Sequence, residues 1–172
     1  MGREYLATRL ISGHDHAPAK TSWWPRHCRL SQRYMNSLIL GHKKEVKAVE
    51  AIVNRCSEEF ETLFFGAPNF VMLEHSELEL NLVDASVSGN VEKVTDIGVK
   101  LEANLRAIVR EFQEKVQGFP SARYAYLLAQ HTANFAAAVR MSLGDDGFQE
   151  DGFEAACHRN TVSLAGFTTE WL

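Results

Sequence analysis

Residues 35–65 read MNSLILGHKKEVKAVEAIVNRCSEEFETLFF, and this stretch decides the fold. Within it Met35, Ile39, His42, Val46, Val49, Val53, Cys56, Phe60 and Leu63 follow one another at alternating steps of four and three. A helix with that repeat carries one apolar stripe, and the stripe must be buried against other helices. The expected fold is therefore all-α: an antiparallel four-helix bundle with an irregular N-terminal arm and a short C-terminal helix.

Outward from this seam, the chain divides at its turn residues. The first bundle helix is expected over 30–65, stopped by Gly66, Ala67 and Pro68, with Gly41 costing about 1 kcal/mol inside it relative to Ala. A second is expected over 69–87, with Val71, His75, Leu78, Leu82 and Ala85 inward. The alternation of Leu78, Leu80 and Leu82 with Glu77, Glu79 and Asn81 also has strand periodicity, but no second strand offers a partner. A third helix over 91–117 ends at Gly118 and Pro120. The fourth, 121–143, holds seven alanines and only two charges, Arg123 and Arg140. So apolar a helix is covered on more than one side, by the bundle or by a second copy. Residues 1–29, broken by Gly13, Pro18 and Pro25, read as an arm. Residues 153–160 read as a short helix before an irregular tail.

The 172 residues fit a single helical domain. No segment has the roughly 20 apolar residues of a membrane span, and no apolar secretory core opens the chain, so a cytoplasmic protein with no membrane partner is expected. Cys28, Cys56 and Cys157 are too scattered for a disulfide framework. Charge is uneven: +6 over residues 1–44 and −10 over the remainder. Arginine beside Trp23 and Trp24 suits a nucleic-acid strand. An overall charge of −4 argues instead that the arm lies on its own acidic bundle.

Three histidines, His42, His75 and His131, fall on apolar faces. His75 and Glu79 share one helix face at i and i+4. A rise of about 1.5 Å per residue puts His75, Cys56 and His131 roughly 10, 12 and 15 Å below the turn near Pro68, with His42 over 30 Å down. Cys56, His75 and His131 can thus form a Cys/His/His site, with Glu79 or Glu59 as fourth ligand. Zinc or another transition metal would suit that set. An ordinary core, with no cofactor, ranks above it: cysteine is among the most buried residues, and a core histidine usually has one hydrogen bond and no metal.

Other motifs fail on spacing. His14-Asp15-His16 has no further ligand downstream. Asp145, Asp146, Glu150 and Asp151 lack the alternation of an EF-hand. Ala133 and Asn134 do not suit a phosphorylatable His131. No nucleophile motif, phosphate-binding loop or catalytic carboxylate pair stands out. The sequence ranks first a non-enzymatic binding or regulatory protein, homodimeric or with a protein partner, acting through helix surfaces. Second comes a metal- or small-ligand-binding bundle using Cys56, His75, His131 and Glu79.

Overall fold

A computed structural model describes residues 19–67, 69–144 and 150–171. The fold is all-α. Its helices are α1 (Ala19–Ile39), α2 (Lys43–Phe65), α3 (Val71–Val87), α4 (Val91–Lys115), α5 (Ser121–Ser142) and α6 (Glu150–Trp171). Helix α1 packs on α2, α3, α5 and α6, while α3 packs on α1, α2, α4 and α5. None of the described helices is long and apolar enough to cross a membrane.

The seam expected as one helix over 30–65 is two helices. Gly41 adopts φ +74°, and the chain closes α1 with His42 N–H donating to Ser37 O (2.8 Å) and Gly41 N–H to Leu38 O (3.0 Å). This paired closure needs a left-handed residue, which glycine takes without a Cβ penalty. The apolar register survives on either side as far as Phe60: Met35 in α1, and Val49, Val53, Cys56 and Phe60 in α2, are buried, whereas Leu63, expected inward at the end of the stripe, is 41% exposed. His42, expected inward, sits at the break, exposed and 3.6 Å from the Glu45 carboxylate.

The arm is also corrected from residue 19 onward, for α1 runs straight through Pro25. An interior proline costs a helix about 3 kcal/mol. Trp23 and Trp24 are 1% and 0% exposed. At about 150–250 Å² each, burying them returns roughly 4–6 kcal/mol apiece. Burial therefore outweighs the proline, and it leaves neither indole free to stack on a nucleic acid. The short helix of 153–160 is the longer α6, because Leu164 and Phe167 are buried and Asn160 Nδ2 donates to Leu127 O (3.0 Å). Residues 71–87 are helix: Leu78, Leu80 and Leu82 are all buried on this central element, which explains their alternation. His14-Asp15-His16, Asp145 and Asp146 lie outside the described residues.

The core has two apolar clusters. One gathers Trp23, Trp24, Phe60, Phe112, Tyr124 and Phe167. The other gathers Tyr34, Met35, Val53, Leu82, Leu101 and Val139. Between them, along α1, α3 and α5, the buried residues are polar: His27, His75, Glu79 and His131.

Candidate metal centre

Helix α3 supplies two of these side chains, and its start is pinned from outside. Glu61 of α2, fully buried, accepts from the backbone N–H groups of Asn69 (3.2 Å), Met72 (3.0 Å) and Leu73 (3.2 Å). A carboxylate here satisfies orphan donors and faces the positive end of the helix. The Ser57–Ser76 hydroxyl pair, 2.7 Å apart, fastens α2 to α3 one turn further on. His75 and Glu79, at i and i+4, then project from one face toward α1 and α5, where His27 and His131 meet them.

The four side chains converge. One donor atom from each of His27, His75, Glu79 and His131 can be chosen so that all lie within 4.8 Å of one another. Glu79 Oε2 is 3.1 Å from His27 Nε2. Its Oε1 is 3.0 Å from His131 Nε2 and 3.5 Å from His75 Nε2. These separations are short, yet all three Nε2 atoms and Oε1 are without a hydrogen-bond partner. Their directions miss one another. Ligands of a tetrahedral zinc ion, with metal–nitrogen bonds of about 2.0–2.1 Å, sit about 3.3 Å apart. Buried polar atoms ordinarily find partners, so four such atoms without one, at separations near those of metal ligands, mark this cluster as the candidate site.

The surroundings fix the tautomer of His75. Asn104 Nδ2 donates to Val71 O and Glu74 Oε2, both at 2.9 Å. Its Oδ1 is therefore the acceptor for His75 Nδ1–H at 3.1 Å. That leaves the His75 Nε2 lone pair facing Glu79, the form a metal requires. The His27 ring is held by stacking on Trp23, with centroids 4.8 Å apart and planes at 10°. Ser31 Oγ donates to Glu79 Oε2 at 3.4 Å.

The carboxylate and the imidazoles shift one another's affinity for protons. Burial would raise Glu79, but the imidazoles of His131, His75 and His27 hold it well below the usual carboxylate range. Burial would lower His131, but the Glu79 carboxylate and the Cys28 sulfur raise it to about 10. Burial lowers His27, against the pull of Glu79. Without a metal, a proton on His131 balances the carboxylate.

Of the residues singled out in the sequence, His75, Glu79 and His131 come together. Cys56 does not join them. Its Sγ accepts from Arg26 Nε at 3.3 Å, and its carbonyl accepts from Trp23 Nε1 at 2.6 Å. Burial raises its thiol, against the opposing charge of Arg26. Glu59 pairs with Arg26 as well. His27, unforeseen, takes the fourth place. Two surface concavities lie elsewhere, one around Phe70, Glu74 and Glu77 and one around Pro25, Val162 and Thr169. Neither is lined by any of the four residues. The chain matches no family model, curated protein or solved structure.

Proposed function

We propose that the protein is a metal-binding helical bundle, holding one divalent transition ion between His27, His75, His131 and Glu79. The observation that carries this is the set of three Nε2 atoms and the Glu79 Oε1, buried, converging and each without a hydrogen-bond partner. Three imidazoles and one carboxylate suit zinc, and iron, copper or nickel by ligand type. Four protein ligands complete a tetrahedral shell, as structural zinc sites do. The ion's role in this reading is to tie α1 and α5 to α3, and the reading needs no reaction.

Purified protein, stripped by chelator and titrated with Zn²⁺ or Co²⁺, should take up one equivalent. His27→Ala, His75→Ala and Glu79→Ala should each abolish tight uptake, while Cys56→Ala and His42→Ala should keep it. Metal at 100 times its dissociation constant should stabilise the fold by about 2.7 kcal/mol. Absence of uptake by the folded wild-type chain would overturn the reading. Retention of metal by His27→Ala together with its loss in Cys56→Ala would reinstate the ligand set expected from the sequence.

A second reading concerns α5, whose face bearing Tyr126, Ala129 and Ala133 is exposed. A charge-poor face of this kind supports self-association through small residues. Sedimentation at micromolar concentration should then give a dimer, and a species of 19.3 kDa would remove this reading.

A further inference from the structure

One imidazole of the site, His131, leads outward through a thiol. Cys28, half-buried on α1, places its Sγ 3.9 Å from His131 Nδ1 and 3.4 Å from Thr161 Oγ1 on α6. The hydrogen positions along this path follow from one neighbour. Thr161 Oγ1 donates to Cys157 O at 2.9 Å. Its single proton is thereby committed, so toward Cys28 it can only accept. The Cys28 S–H accordingly donates to Thr161, and the sulfur lone pairs are left to accept from His131 Nδ1–H. With Nδ1 carrying its proton, neutral His131 keeps Nε2 bare, and Nε2 is the atom that faces Glu79.

We infer that Cys28 is a positioning residue of the metal centre: with Thr161 it holds His131 in the ligating tautomer and orientation. This rests on the reading that the centre binds a metal. Cys28 has the same relation to His131 that Asn104 has to His75. The two differ in kind, since a thiol is a weak acceptor and Asn104 a strong one. Outer partners of ligating histidines typically change metal affinity by about 10–100-fold when removed. The chain also links α6, which supplies no ligand, to the ion: Cys157 O, Thr161, Cys28 and His131 form one series.

The test uses the full chain, with Zn²⁺ affinity measured by chelator competition and Co²⁺ as optical probe. Cys28→Ala should weaken Zn²⁺ binding about 10-fold or more. Thr161→Val, which removes the acceptor at constant shape, should weaken it in the same direction. The double variant should be no weaker than Cys28→Ala alone, because both changes cut one series. The Co²⁺-loaded wild type should show tetrahedral bands without a sulfur-to-cobalt charge-transfer band, since Cys28 touches the ligand and not the ion. Should Cys28→Ala fail to fold in a metal-free melt, Thr161→Val alone decides. Wild-type affinity in both single variants, while His75→Ala loses the metal, would overturn the positioning role and leave the site intact. Losses that add in the double variant, or a sulfur charge-transfer band, would also overturn it. Failure of the wild type to bind either ion would overturn the site itself and this role with it.

Discussion

Glu61 shows how one residue can organise a site it does not touch. Its carboxylate accepts three backbone N–H groups at the start of α3, four residues before His75 begins the ligand pair. Removing a buried acceptor leaves its donors desolvated and unpaired, at about 1–3 kcal/mol. Glu61→Ala should therefore lower the stability of the metal-free protein by roughly that amount or more, read by urea unfolding. Glu61→Gln, which keeps an acceptor oxygen and loses the charge, should cost less. Equal stability of all three forms would refute the cap. Among site residues, His75 and Glu79 were legible because i and i+4 spacing is a local property. His131 followed from counting rise per residue. His27 was not legible, because Pro18 and Pro25 read as breakers ahead of it. A signal was nevertheless present: Trp23, His27, Ser31, Tyr34 and Met35 fall on one helical face. Cys56 was in the right layer, and only the placement of α1 shows that Arg26 and Trp23 occupy its polar atoms.

At the scale of elements, the break between α1 and α2 gives a test whose sign differs between two readings. In a continuous helix Gly41→Ala would stabilise by about 1 kcal/mol, since alanine is the better helix former. At φ +74°, with nothing within 4 Å of the added Cβ, the strain of a left-handed alanine dominates and the change should destabilise by about 1–2 kcal/mol. A melting temperature raised by Gly41→Ala would restore the single helix. The heptad steps could not reveal the break, because a Schellman closure preserved the apolar register on both sides. Similarly, α6 hid behind Gly152 and Gly166, although Asn160, Leu164, Phe167 and Trp171 repeat at four, three and four. Helix type was readable from periodicity. Helix ends depended on contacts with partners distant in sequence.

For the whole molecule, the polar layer between two apolar clusters makes stability depend on what balances Glu79. In the metal-free protein His131 is raised to about 10, burial being outweighed first by the Glu79 carboxylate. The folded chain thus holds this proton more tightly than the unfolded chain does. The stabilisation is fully present below about pH 6.5, the ordinary value for histidine, and is lost as pH rises toward 10. Thermal melts should show the metal-free protein losing stability between pH 7 and 9. The metal-loaded protein, whose ion replaces that proton, should change less over the same interval. A metal-free melting temperature that rises through this range would contradict the ion pair.

The two indoles that flank the layer carry a consequence for measurement. Trp23 stacks on His27, and Trp24 meets His131 edge-on with centroids 5.4 Å apart. Two of the chain's three tryptophans thus lie against imidazoles of the candidate site. Their emission is a built-in optical reporter: a paramagnetic ion such as Cu²⁺ or Co²⁺ seated among His27, His75, His131 and Glu79 should quench it, and diamagnetic Zn²⁺ should not quench it by that route. Occupancy of the centre can then be followed in unlabelled protein.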